Sequence, residues 1–474
     1  MKINEFRTHA HRIVDWMADY LESIETYPVK SAVSPGDIFI QIPDQPPENG
    51  EPVEQIMNDL DRIIMPGMTH WQSPNFFAYF PANSSYPSLL AEMITSCMGA
   101  QCMIWETSPA AAELEERMMN WLAGMIGLPQ TFHGVIQDTA STATLAALIT
   151  AREKFTNYEI NDQGFGNQPG FRVYCSTETH SSVEKAVKIA GFGKRNLIKI
   201  PVDREFRIVP ENLEKTIMHD KKQGKVPLCV IATIGTTGTT SIDPLKEIAD
   251  ICKRHQLWLH VDAAMAGTAL ILPEYRWMIE GIESVDSFVF NPHKWMFTNF
   301  DCSAYFVRDP ETLIRTFEIL PEYLKTRTRG MVNDYRDWGI PLGRRFRALK
   351  LWFVIREFGV IGLQEKIRLH LALATKLKEM ILGDQHVELM APVPLNTVCF
   401  RIKPDGIEDE ETINRYNEQL LQELNSSGKL YLTHTKLNGK YTLRMVIAQT
   451  NVTEQHVIRA WETIKAYAAR ITEQ

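Results

Sequence analysis

The sequence has no apolar run near the eighteen or so residues that a membrane-crossing helix needs, so no spanning segment is predicted. It has no block of five or more basic residues, and its formal charge of -8 is spread along the chain, which denies a nucleic-acid backbone its electrostatic footprint. Low-complexity tracts and internal repeats are also lacking, which argues against long disorder and against a solenoid. The seven cysteines (Cys97, Cys102, Cys175, Cys229, Cys252, Cys302 and Cys399) are odd in number, scattered and without a CxxC pair. That pattern predicts free thiols in a reducing compartment, with neither a metal site nor disulfides. The opening MKINEFRTHAHRIVDW is broken by polar residues too often to be the core of a secretion signal, so the expectation is a cytoplasmic protein with no membrane and no nucleic-acid partner.

What is present fits a globular chain: of 474 residues, 44% are hydrophobic and 23% charged. That length predicts about two to four structural units. Phe6, Ala10, Ile13, Val14, Met17, Leu21 and Ile24 recur with helical period, widened by Trp16 and Tyr20, and such a stripe must pack on something. The Pro-rich acidic stretch Ile42–Gly50 then reads as an extended connector, so residues 1–83 form a helical arm suited to packing on a second subunit. From 84 to 351, short apolar runs alternate with helical segments, with Arg172–Cys175, Leu228–Ile234, Leu257–Val261 and Ser287–Phe290 as buried-strand candidates. This rhythm predicts an α/β domain with a mainly parallel sheet. Residues 352–474 carry long helical patterns, a polar break at Pro404-Asp405-Gly406 and a last strand candidate, Tyr441–Ile447, which together predict a smaller α+β domain.

In an open parallel sheet, ligands gather at the carboxyl ends of strands. The run Leu257–Val261 leads straight into Asp262-Ala263-Ala264, a carboxylate beside residues small enough to let a flat ring lie close. Such an acid can hold a pyridine nitrogen protonated, and a pyridinium accepts the electrons left on Cα when a bond there breaks. It can equally cap the next turn. Ser287–Phe290 delivers Lys294, within Asn291-Pro292-His293-Lys294-Trp295, to the same edge among apolar neighbours, where desolvation makes an amine a better nucleophile toward an aldehyde. A carboxylate and a lysine so placed are the two poles of a pyridoxal phosphate site. Asp138–Thr144 opens a helix with small hydroxyl residues that suit a phosphate, although such clusters also serve as simple caps. Ile234-Gly235-Thr236-Thr237 offers a further contact, and His180, after the strand ending at Cys175, is placed to stack on the ring.

With these residues assembled, the sequence closely resembles the group II pyridoxal-phosphate decarboxylases, nearest to those of aromatic L-amino acids, over essentially its whole length. The likeness is carried by His70–Pro74, Phe76–Pro81, Thr179–Glu184, His260–Ala264, Asn291–Trp295 and Pro341–Arg347. The resemblance implies the aspartate-aminotransferase type of fold, fold type I, as an obligate homodimer with active sites at the interface and the N-terminal segment wrapped on the partner. It implies that Lys294 forms the Schiff base, Asp262 pairs with the pyridinium and His180 stacks on the ring. Ala140, Ser141, Thr237, Ala264, Asn291 and His293 match its remaining cofactor contacts, and Tyr323, in Pro321–Lys325, matches a lid tyrosine that protonates Cα after carbon dioxide leaves. The lid, roughly Tyr323 to Tyr335, carries Gly330.

By the same likeness, Trp71, Tyr79, Phe80, Pro81 and Ala82 line the substrate pocket with Gly343, and Met103 reaches it across the dimer interface. No basic group for an acidic substrate is evident there. Ala82 stands where the family has threonine, and Gln101, Cys102 and Met103 replace the usual residues of the pocket wall. The lost hydroxyl and the room at Gly343 tilt the expected preference toward tryptophan or phenylalanine, with tyrosine and dopa as further candidates. The expected activity is therefore a carboxy-lyase that turns an aromatic L-amino acid into its amine. The alternatives are an aromatic aldehyde synthase, which tends to lack the lid tyrosine, a histidine decarboxylase, an aminotransferase of the same fold, and a cofactor-binding dimer without turnover. Arg444, in the last strand, meets either the substrate carboxylate or a local partner.

Overall fold

The computed structural model describes every residue except 167, 169, 320–329 and 473–474. The chain divides into two compact units, one of Ala82–Ala372 with Ala391–Thr397, the other of Met1–Pro81 with Leu373–Met390 and Val398–Gln474. These bounds differ from junctions at 83/84 and 351/352 for physical reasons. Backbone hydrogen bonds from Val29 to Gly428, from Phe77 to Tyr431 and from Val446 to Phe77, of 2.8, 2.9 and 3.0 Å, sew the opening segment to the C-terminal residues. The helix Ala348–Leu382 runs through 351 and is interrupted at Gly359, whose φ of 63° is one that residues with a Cβ seldom adopt.

The larger unit is built on seven strands: β1 (His133–Gln137), β2 (Phe171–Ser176), β3 (Leu197–Ile200), β4 (Val226–Thr233), β5 (Trp258–Asp262), β6 (Ser287–Phe290) and β7 (Ser303–Val307). Their order is β1-β7-β6-β5-β4-β2-β3. Only β7 runs against its neighbours, β1 and β6, so β1, β2, β4, β5 and β6 all point their carboxyl ends to one edge. This is the mainly parallel sheet of fold type I, and the four buried-strand candidates overlap β2, β4, β5 and β6.

Near-continuous burial of β4 and β5 requires helices on both faces. The helices Ala140–Phe155 and Ser181–Ile189 bury Leu148, Val183 and Val187 against Val173, Cys175 and Ile231. Each large aliphatic side chain buried in this way stabilises by roughly 1.5–3 kcal/mol. Ala140, Ala143, Ala146 and Ala147 give the first of these helices a small-residue face toward Val135, Val289 and Tyr305. That close seat fixes the helix N-terminus beside the sheet's carboxyl edge.

The smaller unit holds a sheet of β8 (Val387–Leu389), β9 (Thr397–Ile402), β10 (Thr433–Leu437) and β11 (Lys440–Val446) in the order β10-β11-β9-β8. Its opening helix, Ile3–Glu22, is amphipathic as read from the sequence, yet every residue of it is exposed or half-exposed.

Candidate active site

Asp262 closes β5 and is 5% exposed. Its carbonyl accepts the Ile234 N–H at 2.9 Å, and its Oδ1 accepts the Ala264 N–H at 3.0 Å, so its carboxylate is held by the backbone just beyond it. Pairing of β5 with β6 continues past the strand ends: Ala263 N–H donates to the Val289 carbonyl and Asn291 N–H to that of Ala264, both at 2.9 Å. Lys294 sits one short turn later, in Pro292–Trp295, and this stitching fixes its backbone relative to Asp262. Asn83, which sequence reasoning passed over, holds that turn from outside, its N–H on the His293 carbonyl at 3.0 Å and its Nδ2 on that of Lys294 at 3.1 Å. Its place directly after Ala82 was the one available signal.

His180 caps the helix Ser181–Ile189, its Nδ1 lying 3.2 Å from the Ser182 N–H and 2.8 Å from that residue's hydroxyl. Accepting at Nδ1 puts the proton of the neutral ring on Nε2. The ring keeps some exposure, yet desolvation is the largest cause that lowers its pKa; the Lys294 ammonium adds to the lowering and the Asp262 carboxylate opposes it. His180, Lys294 and Asp262 thus lie within one another's fields, as their strand-end positions imply. His293 is pushed down to about 3 by burial first and by Lys294 next, against Asp301, and its Nδ1 accepts the Cys302 N–H at 2.8 Å. It stays neutral.

The candidate residues for a phosphate lie at the neighbouring strand ends. After β1, the Thr139 hydroxyl caps its helix by accepting the Thr142 N–H at 3.4 Å, which leaves the first-turn N–H groups at Ala140 and Ser141 aimed along the helix axis. Ser141 is exposed and Ala140 buried. After β4, Gly235 turns with a φ of 84°, and a Cβ there would stand 2.6 Å from that of Ala266. Thr236 is buried and Thr237 exposed beyond it. Small residues, helix N–H groups and a fixed carboxylate at one edge are a donor set that fits an aromatic ring bearing a phosphate.

Gln101–Met103 and Gly343 form a second cluster in the same unit. Cys102 N–H donates to the Arg344 carbonyl at 3.0 Å, Arg336 N–H to that of Met103 at 2.9 Å, and Arg344 N–H to Gln101 Oε1 at 2.7 Å. The Gln101 Nε2 lies 3.2 Å from where a Cβ on Gly343 would be. Buried Arg344 locks this wall through Glu115 Oε1 at 2.6 Å and the Ile136 carbonyl at 2.8 Å. Glu115→Ala strands that guanidinium, so the expected loss in chemical denaturation is about 3–5 kcal/mol.

Trp71, Tyr79, Phe80 and Pro81 belong to the smaller unit. There the rings of Trp71 and Tyr79 stack at 5.8 Å, and the Arg444 guanidinium lies 4.7 Å from the Phe80 ring centre. Arg444 donates to the Tyr79 carbonyl at 2.9 Å and is lowered to about 10 by burial, so of its two possible roles the local one is observed. Tyr323 lies outside the described residues.

Residues 35–403 match the model of the pyridoxal-dependent decarboxylase conserved domain. Tyrosine decarboxylase 4 of Petroselinum crispum is 42% identical over 99% of this chain and 94% of its own length. Phenylacetaldehyde synthase of Petunia hybrida is 41% identical over 98% and 94%. The crystal structure of Oryza sativa TDC with PLP and tryptamine superposes with a TM-score of 0.96 at 37% identity, covering 99% of both chains. The chain belongs to the pyridoxal-dependent decarboxylase family, a carboxy-lyase that works with pyridoxal phosphate.

Proposed function

We propose that this enzyme decarboxylates aromatic L-amino acids to their amines, with the cofactor attached at Lys294. The observation that carries the site assignment is the continuous backbone pairing from Asp262 to Asn291, which sets carboxylate and lysine on one rigid edge. Bound pyridoxal phosphate supplies the electron sink for the pair released when the bond from Cα to the carboxylate breaks. Asp262 keeps a proton on the ring nitrogen, since an opposite charge within about 4–6 Å favours the charged form. His180, its pKa lowered first by desolvation, would lie against the ring without adding positive charge. Ala140, Ser141, Thr237, Ala264, Asn291 and His293 hold the phosphate and ring edge. Tyr323 delivers the proton to Cα.

The aromatic preference is supported by relatives named for tyrosine and for tryptophan and by the tryptamine complex. Trp71, Tyr79, Phe80, Pro81, Ala82, Met103 and Gly343 are the proposed lining. Gly343→Ser inserts a side chain against the Gln101 amide, and the expected result is roughly a tenfold loss of kcat/KM for tryptophan relative to phenylalanine. An aldehyde-forming reading is favoured by the relative named phenylacetaldehyde synthase, and Tyr323 is proposed to decide between the two. In Tyr323→Phe under air, amine formation is expected to fall about 10²–10⁴-fold with aldehyde becoming the main product, dioxygen being the oxidant and carbon dioxide, ammonia and hydrogen peroxide the co-products, with the organic product identified by mass spectrometry.

The assembly is proposed to be a homodimer. Ile3 and Phe6 on the opening helix are 69% and 54% exposed, and Tyr86, Leu90 and Met98 on the helix Tyr86–Met98 are 70%, 54% and 60% exposed, apolar faces that a second copy would cover. Sedimentation at micromolar concentration tests this; a monomer with full activity would overturn it. Its free thiols support a cytoplasmic location, and no helix among the described residues is long and apolar enough to cross a membrane.

A further inference from the structure

His260 has no part in the chemistry above, yet it is fully buried on β5, two residues before Asp262 and so on the same face of the sheet. A buried polar ring is costly unless its hydrogen bonds are complete. Here they reach two other elements: Nδ1 lies 2.9 Å from Ser287 Oγ on β6, and Nε2 lies 3.4 Å from Thr144 Oγ1 in the helix Ala140–Phe155. Trp258 Nε1, which can only donate, gives its proton to Ser287 Oγ at 3.1 Å. Ser287 Oγ keeps a second lone pair and its own proton, so it serves either tautomer of His260: as donor to Nδ1 with the Nε2 proton turned to Thr144, or as acceptor from Nδ1–H with Thr144 donating to Nε2. Burial pushes the imidazole down to about 4 against the pull of Asp262, so it stays neutral and able to accept and donate at once.

The elements joined by this ring lead to three of the anchors proposed for the cofactor: the Ala140 helix to the phosphate, β5 to the carboxylate, and β6 to the turn that carries the lysine. We propose that His260 is a positioning residue that holds the phosphate helix, Asp262 and the Lys294 strand in register for pyridoxal phosphate. The inference rests on the cofactor site assigned above. Its loss acts on the cofactor's grip and environment before it acts on amino-acid binding.

The test compares His260→Leu, His260→Gln, Thr144→Val and Asp262→Asn with wild type in the full-length protein. The readouts are the dissociation constant for pyridoxal phosphate by equilibrium dialysis, the pH midpoint of the bound cofactor's visible absorbance, and kcat and KM separately. Losing both hydrogen bonds in His260→Leu is expected to weaken cofactor affinity about tenfold or more, and losing one in Thr144→Val several-fold. Both should shift the absorbance midpoint and lower kcat with little change in KM, and His260→Gln, which can accept and donate, should recover most of the affinity. Wild-type affinity and midpoint in His260→Leu and Thr144→Val, with only a lower melting temperature, would overturn the proposal. Should His260→Leu fail to fold, Thr144→Val, of unchanged volume, decides by the same criterion. If Asp262→Asn also binds and absorbs as wild type, the site assignment itself fails; if it alone is altered, only the role of His260 does.

Discussion

Lys294→Ala is expected to lower amine formation by at least about 10³-fold, within the range lost when a residue handling bonds and protons at the reacting atom is removed. The backbone around Lys294 is fixed by Asn83, Asn291 and Ala264, so alanine leaves the turn in place and removes only the amine. The helix N-terminus at Ala140 and the carboxylate of Asp262 remain, so pyridoxal phosphate is still expected to bind, without the covalent link. Borohydride reduction followed by peptide mass mapping separates the two effects. Wild type should gain the cofactor's mass on the peptide containing Lys294, and the variant should gain none. A variant that keeps even a tenth of the activity would remove Lys294 from the mechanism.

Asp262→Asn should have the next largest effect, with kcat falling about 10- to 1000-fold and KM little changed. That range reflects the one to three pKa units that a nearby opposite charge contributes, each worth tenfold in the protonated population. Asparagine keeps the shape and can still accept the Ala264 N–H through its Oδ1, so the change isolates the charge. Its sign is fixed: without the carboxylate the ring nitrogen loses its proton at lower pH, so the alkaline limb of the kcat profile should move toward acid. A loss confined to KM, or no movement of that limb, would mean that Asp262 serves the turn and not the cofactor.

Most of this site was legible in the sequence because its residues come directly after strands that are apolar without a break. The runs 257–261 and 287–290 announce buried parallel strands, and the residues just past the end of each run must lie at the sheet's carboxyl edge. β1 and β3 went unread as strands for a matching reason: β1 begins at exposed His133 and contains Gly134, β3 is short and half-buried, and neither shows a long apolar run. The antiparallel seat of β7 is set by its pairing with β1 and β6, a contact that no local pattern encodes. Two roles are visible only in the fold. Arg344 reads as one basic residue among several in Arg344-Arg345-Phe346-Arg347, and only burial against Glu115 marks it as the lock of the Gln101–Gly343 wall. His260 reads as a strand residue next to a carboxylate, and only the bonds to Thr144 and Ser287 show what it joins. The junctions near 83 and 351 were likewise hidden, because backbone bonds to Gly428 and Tyr431 come from residues far along the chain.

Aromatic decarboxylation at a cofactor held by Lys294 is tested most directly by identifying the products. The purified enzyme, saturated with pyridoxal phosphate, is incubated separately with L-tryptophan, phenylalanine, tyrosine, dopa, histidine and glutamate, and carbon dioxide and organic products are quantified. Amines and equimolar carbon dioxide from the aromatic substrates alone are the expected result. Histamine, 4-aminobutyrate, or no carbon dioxide from any aromatic amino acid would contradict it.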